Sequence, residues 1–501
     1  MSCFQVDALE CDALQVLNLV RSTRNAFAPV NRTPPEVLSL IPDYWEDYEK
    51  DMNLIRLTHV CRSWREIFVS RPSLWTDLDF WNTDKTRVYI ERSKCVPLEI
   101  YLEPPYLEGA FLLAIPHIHR LKALWVSGGS TDVLPVLVEH FSCPLPLLDE
   151  LEIDFSDGGY FPTLPHQLFN GNISSLRKLT LMGVITPLPW RDLSSLTTFK
   201  FRDVPEGGIL LTQLLDFFES APHLCYIRLY DSLPSSSNAP TERVVPLPHL
   251  KDLNIKADQP HSILLNHLSI PVGASLRLKF RFGDEHSPIS SYLPESPGSL
   301  RNLSRITAVN LCFGPCQGYT RLNGPSGELY IFGDWMHEEQ SDVWVFRVIL
   351  FLHQFDISRT RWLTVALCGY QPLDPAQTAE SIVYQTLHPM EDLRTLTLIE
   401  CEDLPFIHTL NPDKNPEKII LCPRLEEIVI HTRLRSTFLS DELVDMARER
   451  ALRGAKLSAI KIINTTTAKP AEEAFFPLRE HVERVEYRFA SRVPEWDTFP
   501  S

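Results

Sequence analysis

Apolar residues return along most of this chain in one short phrase: apolar, two variable positions, apolar, one variable, apolar. It reads Leu121-x-x-Leu124-x-Val126, Leu148-x-x-Leu151-x-Ile153, Leu176-x-x-Leu179-x-Leu181, Leu196-x-x-Phe199-x-Phe201, Leu224-x-x-Ile227-x-Leu229 and Leu250-x-x-Leu253-x-Ile255. Later copies are Ile306-x-x-Val309-x-Leu311, Leu393-x-x-Leu396-x-Leu398, Leu425-x-x-Ile428-x-Ile430 and Leu457-x-x-Ile460-x-Ile462. The final apolar-x-apolar step has the period of an extended strand, so its two apolar side chains face one side and the residues beside them face the other. Copies start 20 to 28 residues apart through the first six and 32 apart through the last three. A unit that small cannot bury its own apolar face, so neighbours must stack. Leu210–Ser220, closed by Ala221-Pro222, reads as a helical connector. Spacing is least regular through 256–392, where strands are expected at Leu276–Phe280, Leu329–Phe332 and Leu363–Leu367. Loops are expected at 231–243 and around 283–300, both rich in Ser and Pro.

A different period governs the first eighty residues. Thr33-Pro34-Pro35-Glu36 has the form of a helix start: Thr33 as cap, Pro34 at the first helical position and Glu36 closing an S/T-x-x-E box. Val37, Leu38 and Ile41 follow on one face. Beyond an acidic stretch at 42–53, Leu54, Leu57, Cys61, Trp64 and Phe68 recur every three or four residues, widened by Val60 and Ile67. That predicts an amphipathic helix or helix pair, ended by Arg71-Pro72 and followed by Leu74, Trp75 and Leu78. Helices this short need something else to pack on. Upstream, Val6, Leu9, Ala13, Val16, Leu17 and Val20 form another helical stripe, expected to pack on its own chain rather than on another.

Composition narrows the function. Lys and Arg number 48 against 64 Asp and Glu, a net charge of −16, which argues against nucleic acid and anionic membrane as partners. Eleven scattered cysteines without a C-x-x-C pair, and an acidic N-terminus without a basic leader, indicate free thiols in a cytoplasmic or nuclear protein that is not secreted. The longest apolar run, Val343–Phe355, is interrupted by Arg347 and His353 and is too short to span a bilayer. Forty prolines with only 19 glycines suggest punctuated connections rather than flexible linkers. No phosphate loop, GxGxxG or GxSxG occurs. His337-Glu338-Glu339 lacks the second histidine of a zinc helix because position 341 is Ser. His117 and His119 have no cysteine cluster nearby, and Cys312 and Cys316 read as thiols. No cofactor, metal or catalytic residue is expected, and the chain reads as a non-enzyme.

The residues of 33–80 resemble the F-box. The positions that carry the resemblance are Pro35, Glu36, Leu38 and Ile41, then Leu54 and Leu57, then Val60, Cys61, Arg62, Trp64 and Arg65, then Leu74 and Trp75. Thr33 stands where that family usually has Leu, and 42–53 is longer and more acidic than usual. The recurring phrase is similar to the core of the leucine-rich repeat. Together the resemblances imply an α/β chain: a short helical F-box followed by a degenerate leucine-rich-repeat solenoid, a curved parallel sheet with helices and turns outside. The expected division is 1–28 N-terminal helix, 29–80 F-box, 81–483 repeat-like array and 484–501 tail.

The F-box resemblance implies docking of a Skp-type adaptor, and through it a cullin–RING ubiquitin ligase. Candidate adaptor-binding residues are Pro35, Val37, Leu38, Ile41, Leu57, Val60, Cys61, Trp64 and Trp75; about half of such a set is expected to be core. The array would hold a substrate protein. On the strand face opposite the leucines, Lys200, Arg202, Arg228, Tyr230, Asn254 and Lys256 should line up as a basic stripe suited to an acidic or phosphorylated segment. A solvated face of scattered charges is the plainer reading of the same residues. A repeat scaffold with a decayed F-box is the other reading of the whole.

Overall fold

The ten apolar phrases all fold as strands whose paired apolar side chains point inward. The computed structural model describes residues 3–489 apart from 46, 129–132, 160, 165–167, 172, 187–192, 206–207, 235–242, 259–260, 283–292, 295–299, 301–302, 304, 315–316, 325–326, 336–351, 368–377, 402–404, 433–436 and 465–471. It divides into two compact units, Met1–Thr180 and Leu181–Ser501. That break lies inside the stretch read as one array.

The first unit opens with helices α1 (Cys3–Ala26), α2 (Pro35–Leu38), α3 (Asp47–Thr58) and α4 (Arg62–Val69). Strands β1 (Asp77–Leu78), β2 (Leu98–Leu102), β3 (Leu121–Ser127) and β4 (Glu150–Asp154) follow, each parallel to the next. Strand β5 (Lys178–Met182) carries the boundary between the units. Of three expectations at the N-terminus, the cap and the packing of the first helix fail and the helix pair forms. Thr33 does not cap α2: Pro34 holds the cap position without a side-chain hydrogen bond, and α2 runs only four residues. The stripe of Leu54 to Phe68 is two helices, broken at His59–Cys61, and α3 starts inside the acidic stretch. Among the described residues helix α1 does not pack on its own chain: each of its residues whose side chain is described is exposed.

In the second unit β6 (Thr198–Arg202), β7 (Tyr226–Tyr230), β9 (Asp252–Lys256) and β11 (Ser275–Phe282) run parallel in that order. Short β8 (Val245–Pro246) and β10 (Leu268–Ser269) pair beside them. β11 pairs next with β14 (Glu328–Trp335). β14, β13 (Gln317–Asn323) and β12 (Ala308–Phe313) form an antiparallel meander. From β12 the parallel order resumes through β15 (Trp362–Leu367), β16 (Thr395–Ile399), β17 (Glu427–Thr432), β18 (Ala459–Asn464) and β19 (Arg484–Phe489). The meander explains the irregular spacing of 256–392, whose three expected strands all form. β19 replaces the start of the expected tail, because Val485, Tyr487 and Phe489 alternate. The expected loop at 283–300 lies almost wholly outside the described residues. So does the middle of 231–243, whose ends are anchored by buried Ser232 and Leu233 and by Arg243.

A parallel sheet covered on both faces reads as continuous apolar runs. Here burial alternates, as in β6, β7 and β9, so only the leucine side is covered. Helix Leu211–Ser220 covers it beside β6: Phe217 packs at a tilt against Phe199 with centroids 4.4 Å apart, and both are fully buried. Each such burial stabilises by about 1.5–3 kcal/mol.

The backbone repeats with the pattern. The leucine opening seven of the phrases donates its N–H to the carbonyl three residues earlier, at Leu148→Leu145, Leu176→Ile173, Leu196→Leu193, Leu224→Ala221, Leu250→Leu247, Leu393→Met390 and Leu425→Cys422. Both residues of every pair are buried. After the strand, Gly183, Asp203 and Asp231 adopt positive φ and donate their N–H to the last carbonyl of the adjoining strand, and Glu400 does the same to the next-to-last, that of His431. Turn, strand and left-handed exit therefore form one recurring device.

Candidate functional site

Two surfaces carry the candidate residues. The first lies on the short helices of the first unit. Its interior is built on two tryptophans. Trp64 is 8% exposed and donates its indole N–H to Asn31 Oδ1 at 2.6 Å. Trp75 is 1% exposed; it donates to the Phe68 carbonyl at 3.0 Å, meets Tyr89 edge-on at 5.0 Å and carries the Arg92 guanidinium 4.3 Å above its ring. It thereby ties α4 to helix Thr83–Ser93. Arg71 binds the Ser39 carbonyl and the Asp43 carboxylate, so the acidic stretch is pinned to the end of α4.

Among the nine candidate adaptor residues, Leu38, Trp64 and Trp75 are interior and act as props. Ile41, Leu57 and Cys61 are half-buried, while Pro35, Val37 and Val60 are exposed, Val37 and Val60 by more than half. Leu40, Tyr44 and Ile55 are also exposed and were not singled out in the sequence. Leu40 was legible, because it lies three residues beyond Val37.

The second surface is the open face of β6–β11. The strand register places Lys200, Arg228, Asn254 and Arg277 in one row, and Arg202, Tyr230, Lys256 and Lys279 in the next. All six stripe residues therefore meet as expected, and β11 adds Arg277 and Lys279. Those two were missed because β11 lies in the irregular stretch; the basic residues alternating with Leu276 and Leu278 were the available signal. At about 4.8 Å per strand, each row spans about 14 Å. Across β11 the chemistry turns aromatic: Tyr330 lies opposite Arg277 and Phe332 opposite Lys279, with the Lys279 ammonium 4.3 Å from the Phe332 ring.

Pairing differs along this face. Arg202 meets Asp203 at 2.9 Å, and Arg277 lies 3.6 Å from Asp252 and 3.7 Å from Glu328. Burial would raise the Glu328 carboxyl, but the Ser275 hydroxyl and the Arg321 and Arg277 guanidiniums outweigh it and hold it below the usual carboxylate range. Lys200, Arg228, Lys256 and Lys279 have no carboxylate partner among the described residues. In the first unit the corresponding face differs: Trp125 stacks on Tyr101 at 4.4 Å and 7°, with Glu152 next to Trp125 in register.

Among the described residues, no group of three or more His, Cys, Asp and Glu is placed to hold a metal, and no helix is long and apolar enough to cross a membrane. His119 is bonded to the Pro116 carbonyl at 3.2 Å. Position 337 and Cys316 lie outside the described residues.

Residues 31–81, from Asn31 beneath Trp64 to the residue after Phe80, match the F-box-like family. No curated protein matches the chain. The chain thus contains an F-box-like domain, set before a large, mostly parallel sheet. F-box domains generally bind Skp-type adaptors.

Proposed function

We propose that this chain is the substrate-recognition subunit of an SCF-type ubiquitin ligase. Its F-box-like domain docks a Skp-type adaptor, and through it a cullin–RING ligase. The turn–strand stack, a degenerate form of the leucine-rich repeat, holds an acidic or phosphorylated segment of a substrate protein on the β6–β11 face. The chain does no chemistry of its own; it raises the effective concentration of substrate beside the transfer machinery. The observation that carries the reading is an F-box-like domain that holds Trp64 and Trp75 inside while Val37, Leu40, Ile55 and Val60 stay exposed. Exposed apolar residues on short, well-propped helices are what a docking partner covers.

The test is co-expression with a Skp-type adaptor and size-exclusion chromatography. A one-to-one complex is expected, lost on Val60→Asp while the chain keeps its melting temperature. Trp75 is unsuitable for this purpose because it is interior. No complex from a folded chain would leave the second reading, a non-degradative scaffold with a decayed F-box, for which the uncapped four-residue α2 is the structural argument.

A further inference from the structure

Helix α1 is the least explained part of the first unit. Val6, Leu9, Leu14, Val16, Leu17, Leu19 and Val20 are each between 42% and 69% exposed. Its hydrogen bonds beyond the helix ladder stay within it or reach only the turn that follows, as Asn31 Nδ2 to the Asn25 carbonyl at 2.6 Å. Such an apolar surface on a helix that nothing supports is unfavourable in water.

Its pattern says what covers it. Val6, Leu9, Ala13, Val16, Val20 and Thr23 are spaced three and four residues alternately, the seam of a two-stranded coiled coil, flanked by Leu17 and Leu19. The charges are segregated along the helix: Asp7, Glu10 and Asp12 in the first half, Arg21 and Arg24 in the second. A parallel pair would set like charges side by side. An antiparallel pair sets each acidic half along the basic half of the other copy and opposes the two helix dipoles. The antiparallel register also closes on itself. Pairing Val6 with Thr23, Leu9 with Val20 and Ala13 with Val16 centres the contact between residues 14 and 15, the midpoint of Cys3–Ala26.

We propose that α1 is a self-association element, covered by α1 of a second copy of this chain in antiparallel register. The seam is isologous, as two-fold symmetry requires. Its residues lie outside 31–81 and are distinct from those proposed to dock the adaptor.

Light scattering and sedimentation equilibrium on the full chain over a wide concentration series test this. The expected species is a dimer, twice 57.5 kDa, that dissociates on dilution. Leu9→Asp with Val16→Asp should give a 57.5 kDa monomer with unchanged melting temperature, because both side chains are exposed in the single chain. Arg21→Glu with Arg24→Glu should weaken the dimer at least about tenfold, since it opposes acid to acid at both ends. A wild-type chain that stays monomeric would overturn the proposal. So would a dimer that survives Leu9→Asp with Val16→Asp. An arginine reversal without effect would rule out the antiparallel arrangement. Adaptor binding by the monomeric variant, measured alongside, keeps this outcome separate from that of the ligase reading.

Discussion

The two ends of the second unit's sheet share a backbone and differ in what they offer a partner. At β16–β18, as at β6–β11, parallel strands in register bury one face and open the other, and β19 extends the rows by pairing with β18. At the far end the open-face charges neutralise one another. Lys461 meets Glu427 at 2.6 Å, and Arg484 and Arg488 both reach Glu486, at 3.2 and 2.8 Å. At β6–β11 the carboxylates of the described residues engage Arg202 and Arg277 and not Lys200, Arg228, Lys256 or Lys279. The repeat thus sets where side chains stand, and local pairing sets which of them can bind. Despite a net charge of −16, the two rows on this face hold six cations against the paired carboxylates of Asp203, Asp252 and Glu328.

The largest expected effect separates the ends by pH. Fully buried His261, beyond β9, is bonded to the Ala257 carbonyl at 3.0 Å, and burial lowers its pKa to about 4. The unfolded chain takes up this proton below pH 6.5, whereas the folded chain resists until about pH 4. The unfolded state binds more protons in that window, so stability falls with pH, by up to about 3 kcal/mol at pH 4. Denaturant midpoints from pH 7 to 4 should show this slope, and His261→Gln should flatten it. His431 in β17 is also lowered by burial and contributes with the same sign. An unchanged slope in His261→Gln would shift the effect to that end.

A smaller effect sharpens the comparison. Glu328→Gln removes the carboxylate that engages Arg277 and Arg321. Among the described residues Arg277 then keeps only Asp252, and Arg321, beside this face on β13, loses its carboxylate partner. An acidic peptide should bind about tenfold tighter at low salt, less so at high salt. Smallest is Gly183→Ala. Gly183 takes a left-handed exit with φ of 64°, and the new Cβ costs about 1 kcal/mol, read as a lowered melting temperature. A zero cost would mean that the exit can flatten without loss of its hydrogen bond to the Arg202 carbonyl at 3.0 Å.

The strands were legible because leucine alternation is imposed by burial and each copy repeats it. The stripe was legible for the same reason: Lys200, Arg228 and Asn254 occupy one position of the phrase. The antiparallel meander was hidden, since Gln317–Asn323 carries no phrase and pairs only through what flanks it. The inward placement of Trp64 and Trp75 depends on Asn31 and Tyr89, partners that periodicity does not reveal. Pairing was hidden too: Glu328 reaches Arg321 on the neighbouring strand of the meander on one side and Arg277, about fifty residues earlier in the chain, on the other. The failed cap at Thr33 shows a local rule losing to the next residue, because Pro34 takes the cap position itself.

The most direct measurement is fluorescence anisotropy of a labelled phosphoserine–glutamate peptide titrated against the chain. Arg228→Glu with Lys256→Glu should cost about 100-fold in affinity, roughly tenfold for each reversed charge. Lys461→Glu with Arg488→Glu, at the self-neutralised end, should leave affinity within about twofold of wild type. Equal losses from both pairs, or none from the first in a folded protein, would contradict the claim that local pairing makes β6–β11 the binding face.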